Sequence, residues 1–198
     1  LRQNVESASK VKRFGKAMLL DTPFCDFGRK APDFKLSSFD TTSYTRDELI
    51  GTKGFLIAFI CNHCPYVKAI ITNFVSDANK LQKIGIQTAA IMPNNYISHP
   101  ADRPEKMGEF AAQHGFGFPY LIDETQSVAK SYGAVCTPDF FGFNANLELQ
   151  YRGRLDNFTI GKDGARTPEL FNAMNMIANT GIGPESQIAS IGCSIKWK

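Results

Sequence analysis

The chain reads as an α/β fold, and three stretches carry that reading. Phe55–Ile60 is an unbroken apolar run, too short for a membrane span and suited to a strand buried on both faces. Val67, Ile70, Ile71, Phe74, Val75, Ala78 and Leu81 follow at spacings of three and four. Lys68, Asn73, Asp77, Lys80 and Lys83 fall largely between them, the pattern of an amphipathic helix with Gly85 as its stop. Ile86–Met92 is a second apolar run, read as a parallel strand reached by that helical crossover.

Between the first strand and the helix lies Cys61-Asn62-His63-Cys64-Pro65. This spacing places Cys61 at or just before the first helical turn and Cys64 one turn on, with Pro65 early enough to be tolerated. Free amides and the helix dipole at that end favour an anion, and they lower a thiol from about 8.5 into a range of roughly 3.5–7.5. The expected pair is an exposed nucleophile, Cys61, with Cys64 as its resolving partner. His63 between them favours the thiolate further if protonated; otherwise it is a surface residue that happens to fall there. A Cys-x-x-Cys serves redox chemistry or metal binding, and the strand-to-helix junction favours redox.

The other elements follow in order. Residues 1 to about 20 are polar and basic, read as a loosely docked arm within an N-terminal segment 1–27. Residues 28–198 form the domain. Lys35-Leu36 and Thr42–Tyr44 are two short strands making an N-terminal β-hairpin extension, and Arg46–Ile50 is one helical turn. Pro93–Pro104 is a long turn-rich connection, either a solvated loop or the border of a binding surface, and it contains His99. Arg103-Pro104-Glu105 opens a helix that Gly115 ends. Phe118–Ile122 is a strand. Asp123 with Gln126 resembles a capping box before a brief helix closed by Gly133. After Cys136-Thr137-Pro138, Asp139–Phe143 and Leu147–Tyr151 form an antiparallel hairpin, and a last helix runs from Thr167 to Gly181.

The totals exclude several classes. A chain of 198 residues with 43% hydrophobic and 21% charged residues has enough apolar surface for one ordinary core. A net charge of +3, without a dense basic block, argues against a nucleic-acid partner. Five cysteines are an odd count, unlike a secreted disulfide scaffold. A reducing, cytoplasmic setting is expected. No signal peptide is visible, and no apolar run approaches a membrane helix.

Strand, Cys-x-x-Cys helix, strand, helix, then Thr-Pro, hairpin and final helix resembles the thioredoxin fold, with its central mixed β-sheet flanked by helices. The Ala31-Pro-Asp-Phe34 entry is similar to the redoxin branch, the alkyl-hydroperoxide-reductase/thiol-specific-antioxidant proteins. Phe59–Val67, Gly133–Phe141 and the Gly192-Cys-Ser-Ile-Lys-Trp197 tail resemble one bacterial redoxin group. The resemblance implies a thiol–disulfide oxidoreductase using Cys61 and Cys64, supported by His63, Thr137, Pro138 and Cys136. It implies a cis Pro138 facing the thiols and a Thr137 backbone offered to a bound peptide by strand-like pairing. The substrate is a disulfide-containing protein or a small thiol, and the reductant a thioredoxin or glutathione. No cofactor, resident metal, nucleic acid or membrane partner is expected.

Departures from the pattern matter as much. Thioredoxins carry a buried acid on the strand before the pair; Phe55–Ile60 has none, so His63 or water must assist. Peroxiredoxins place a hydroxyl three residues before the reactive cysteine, where this chain has Ala58. A thioredoxin-dependent thiol peroxidase is therefore the alternative. A metal-binding or scaffold protein using Cys61, Cys64 and Cys136, with His63 or Cys193 as a further ligand, is a third reading. Cys136 is a third redox thiol, a ligand or a small buried hydrophobe. Cys193 is a weaker redox candidate, and Cys25 is structural or incidental.

Overall fold

The computed structural model describes residues 12–14, 17–158 and 164–198. Its strands are β1 (Lys12–Phe14), β2 (Ala17–Asp21), β3 (Lys35–Ser38), β4 (Ser43–Thr45), β5 (Gly54–Phe59), β6 (Ile86–Met92), β7 (Tyr120–Ile122), β8 (Cys136–Thr137), β9 (Asp139–Asn144), β10 (Leu149–Tyr151) and β11 (Ile191–Ser194). Its α-helices are α1 (Pro65–Lys83), α2 (Pro104–His114), α3 (Ser127–Tyr132) and α4 (Glu169–Thr180).

Seven strands form one mixed sheet in the order β10-β9-β5-β6-β7-β3-β4. β5, β6 and β7 run parallel, while β9 pairs antiparallel on the far side of β5. Every residue of β5 is buried, as its continuous apolar run requires. The pleat sends Leu56 and Ala58 to one face, against Val67, Ile71 and Phe74 of α1 and Met174 of α4. Phe55, Ile57 and Phe59 go to the other, against Phe34, Leu49 and Tyr132. On that second face Phe59 meets Tyr132 and Phe141 at ring distances of 5.8 and 5.7 Å. A strand with no polar face has to be covered twice, so it occupies the middle of the sheet. Its C-terminal end delivers Cys61 to the top of the core.

The hairpin of β3 and β4 forms as expected and extends the sheet through β7. Two expectations differ. Ala17–Asp21, placed in a loosely docked arm, is a strand paired antiparallel with β11; residues 1–11 lie outside the described residues. The capping box also does not form. Gln126 is left-handed, at φ 63°, and the Asp123 carboxylate takes the Ala129 amide at 2.7 Å. The Gln126 side chain instead donates to the Lys196 carbonyl at 2.9 Å and accepts the Lys198 amide at 2.8 Å.

That tail belongs to a second sheet, ordered β1-β2-β11-β8. Cys193 sits opposite Thr137, and Ser194 opposite Cys136. Asn94 Oδ1 takes the Lys196 amide at 2.9 Å, and Ile195 is buried in the second core face. Among the described residues no helix is long and apolar enough to cross a membrane.

Candidate active site

Cys61, Cys64, His63 and Thr137 meet where β5 ends and α1 begins. The helix starts at Pro65, with Cys64 as its N-cap residue. The free amides of the first turn and the helix dipole therefore act on Cys64, three residues later than the expected position. Cys61 is buried, not exposed, and so is Cys64. The Cys61 sulfur lies 3.3 Å from the Thr137 hydroxyl, and the Cys64 thiol donates to the Thr137 carbonyl at 3.2 Å. The Thr137–Pro138 peptide is cis.

The charges divide the two thiols. Burial pushes Cys61 well above the ordinary thiol range, and its contact with Cys64 and the nearby Asp102 carboxylate add to that. Cys64 is driven far below that range, first by a hydrogen bond from the Cys193 thiol, then by one from Cys61. The amides of Val67 and Cys193 act on the same sulfur. Cys193 is pushed up, first by its hydrogen bond with Cys64 and then by burial. The motif's position points to Cys61 as the depressed thiol, whereas these directions favour Cys64.

Asp102 is the residue sequence reasoning missed. It comes from the Pro93–Pro104 connection and is fully buried. Its Oδ1 accepts the amides of Asn62 at 2.9 Å and His63 at 3.3 Å. Its Oδ2 accepts His63 Nδ1 at 2.7 Å and Asn94 Nδ2 at 2.9 Å. Burial pushes this carboxyl up, but the bonds from His63, Asn94 and Asn62 together outweigh it and hold the group below its ordinary range. The buried acid absent from β5 is therefore supplied by another element. Proton relay is open to it through His63, whose Nδ1 is fixed as the donor and whose other nitrogen is left free. His99, from the same connection, stacks on His63 at 5.4 Å. The length of that connection was the one sequence signal for a role at the site.

Cys136 does not join the cluster. It is buried, donates weakly to the Pro138 carbonyl at 3.6 Å, and is pushed up by burial and by Asp139. Cys25, half-buried, is pushed up to about 11, chiefly by burial. Cys193, expected to be the weaker candidate, is paired opposite Thr137, the residue that both Cys61 and Cys64 reach.

Among the described residues, the group able to hold a metal ion is Cys61, His63 and Asp102, whose ligand atoms lie within 4.8 Å of one another. It shares Cys61 and His63 with the expected set but has Asp102 where Cys64 and Cys136 were expected. Both Asp102 oxygens already accept two hydrogen bonds each. A cation there would have to displace the amides that shape the loop, and a structural zinc site needs a fourth ligand. A cleft of about 720 Å³ opens beside His63, lined by Lys68, Ala101, Phe110 and His114; no cysteine lines it.

One edge of the site is already occupied. The Thr137 backbone, expected to pair with a bound peptide, is paired with β11.

Residues 27–164 match the AhpC/TSA family, and the chain belongs to that family. It is a redoxin-branch member of the thioredoxin-like superfamily. The matched segment stops before α4 and β11. A conserved protein of Geobacillus kaustophilus is 38% identical, with 91% of this chain and 96% of that one covered at a TM-score of 0.86. A protein of Sinorhizobium meliloti 1021 is 34% identical, covering 90% and 98% at a TM-score of 0.86. The thioredoxin domain of a thiol-disulfide oxidoreductase from Bacteroides vulgatus shares the fold at 14% identity, covering 77% and 98% with a TM-score of 0.60. The curated proteins give no match.

Proposed function

We propose that this chain is a thiol–disulfide oxidoreductase whose redox couple is Cys61 and Cys64. The observation that carries this is geometric: Cys64 is the N-cap of α1, and both sulfurs converge on Thr137, at 3.3 Å from its hydroxyl for Cys61 and 3.2 Å from its carbonyl for Cys64. An ionised sulfur is the nucleophile that disulfide exchange requires. A structural cysteine has no need of such a setting.

The steps balance without an added cofactor. Cys64 thiolate attacks one sulfur of a disulfide substrate. The substrate bond breaks, and its other sulfur leaves as a thiolate. Cys61 then attacks Cys64, releasing the second substrate sulfur and closing the Cys61–Cys64 bond. The Cys61 proton passes toward the His63–Asp102 pair, whose atoms lie within 4.8 Å of that sulfur. This gives Cys61 the resolving part and Cys64 the attacking part. Cys136 has no step in this cycle. The substrate is a protein disulfide or a small disulfide, and the pair is recycled by a thioredoxin or glutathione.

The test is reduction of a peptide disulfide with single Cys61→Ser and Cys64→Ser variants. With Cys193→Ser added to both so that no third thiol can resolve the adduct, Cys61→Ser traps a mixed disulfide on Cys64, and Cys64→Ser traps none. Trapping only on Cys61 would restore the order expected from the motif.

A second reading rests on one contact. The Thr137 hydroxyl lies 3.3 Å from Cys61, so the hydroxyl missing from position 58 is supplied by another element. That favours a thiol peroxidase. The protonated, buried state of Cys61 beside Asp102 weighs against it, because peroxide reduction begins from a thiolate. Rapid turnover of hydrogen peroxide that depends on Cys61 would decide for the peroxidase.

A further inference from the structure

The C-terminal strand lies where a substrate strand is expected to lie. β11 pairs antiparallel with β8, with Cys193 opposite Thr137. This is the pairing by which a groove of this kind binds an extended peptide, here made within one chain. Its consequence is chemical, because the residue opposite Thr137 is a cysteine. Both motif sulfurs reach the same residue: Cys64 Sγ lies 3.2 Å from the Thr137 carbonyl oxygen and Cys61 Sγ 3.3 Å from the Thr137 hydroxyl, so the strand brings Cys193 to the thiol pair.

The docking is specific. Gly192 runs so close to the Thr137 carbonyl that a Cβ there would overlap it. Ser190 Oγ donates to the Pro138 carbonyl at 2.9 Å, and the Ser190 amide donates to Thr22 Oγ1 at 3.0 Å. Past the cysteine, Asn94 holds the Lys196 amide while its Nδ2 donates to Asp102. One side chain thus ties the tail to the His63–Asp102 pair. On its other edge β11 is paired with β2, so the strand is held from both sides. Cys193 itself is almost fully buried.

We propose that Cys193 is a third redox thiol, carried by an internal substrate strand, and that it exchanges with the Cys61–Cys64 disulfide to form a Cys64–Cys193 disulfide. The inference rests on the oxidoreductase reading above. The Cys193 sulfur, on losing its proton, attacks Cys64. The Cys64–Cys193 bond forms, the Cys61–Cys64 bond breaks, and Cys61 leaves as a thiolate that takes up a proton beside His63. No electrons are gained or lost overall, so no further oxidant is needed. The oxidising equivalents move from the motif to the tail, and β11 also excludes a foreign strand from Thr137. A partner protein would then receive or supply electrons at the tail, while small disulfides and thiols would exchange without strand pairing.

The test uses the full-length reduced protein oxidised by glutathione disulfide at about 1 mM. The reaction is quenched in acid, alkylated, and its disulfides are mapped by mass spectrometry. In Cys61→Ser, glutathione first caps Cys64, and Cys193 then displaces it. A thiol held in contact acts at an effective concentration far above millimolar, so the Cys64–Cys193 form exceeds the Cys64–glutathione form at least about tenfold. Gly192→Val, which drives β11 from Thr137, reverses that ratio in the Cys61→Ser background. The unaltered chain shows both Cys61–Cys64 and Cys64–Cys193 peptides, a readout that needs no variant to fold. If that chain forms only Cys61–Cys64, and Cys61→Ser only the glutathione adduct, the third thiol is refuted and the oxidoreductase reading stands. If Cys193 pairs with Cys61 or Cys136, the proposed exchange is refuted as well. If neither disulfide forms in the unaltered chain, while Cys193→Ser also fails to close Cys61–Cys64, both fall together.

Discussion

Asp102→Asn separates the charge of the buried carboxylate from its shape. Asparagine keeps one oxygen for the Asn62 and His63 amides but removes the negative charge beside Cys61. The Asp102 oxygen and the Cys61 sulfur lie within 4.8 Å, which at an effective dielectric constant of about 20 is worth about 3.5 kcal/mol, or about 2.5 pH units. Solvent reorganisation discounts that figure, so the expected fall in the Cys61 titration midpoint is about 1–2.5 units. The assay is the rate of alkylation of Cys61 across pH. It is run in a Cys64→Ser background, so that one thiol of the pair reports. Circular dichroism verifies that the variant is folded. A midpoint that stays within about 0.5 units, or rises, would refute the claim that this carboxylate keeps Cys61 protonated.

Other outcomes follow from the same contacts. Cys64 binds its proton less tightly in the folded reduced protein than in the unfolded chain. Its contribution to stability is therefore present above the free-thiol value of about 8.5 and is lost as pH falls through the folded value. Urea unfolding between about pH 6 and 8 should rise by about 1 kcal/mol per pH unit in the reduced chain, and Cys64→Ser should flatten that slope. Asp102 contributes with the same sign further down, its stabilisation being lost as pH falls below about 3.9 and through its own depressed value. Phe59→Ala empties a site walled by Tyr132 and Phe141 and should cost about 3–5 kcal/mol in the same unfolding assay. A cost under about 1 kcal/mol would show that this face of the sheet collapses around the gap.

The fold was legible where local patterns decide it. The apolar run of β5, the three-and-four spacing of α1 and the run of β6 each specify their element over a short window, and the motif falls between them. The site was legible only as far as those windows reach. Asp102 acts on residues about forty positions away, and nothing in Asp102-Arg103-Pro104 marks it as a buried carboxylate. A separation of 70 positions hid the partner of Gln126, which looks like a local cap but binds the tail. β11 escaped notice for a different reason. Gly192 is a poor strand residue and is tolerated because the Thr137 backbone passes against it. The expected helix start differs for a local reason: α1 begins at Pro65, so its first-turn amides lie nearer the second cysteine than the first.

The central claim is that an ionised Cys64 stabilises the reduced form of a Cys61–Cys64 couple. Stabilising the reduced form makes a couple more oxidising. The direct measurement is the reduction potential of that couple in glutathione buffers, with the Cys61–Cys64 peptide quantified by mass spectrometry at each point. The account predicts a two-electron transition at about −120 to −200 mV, above the thioredoxin value of about −270 mV. A transition at or below about −270 mV, or a chain in which Cys61 and Cys64 never pair, would contradict it.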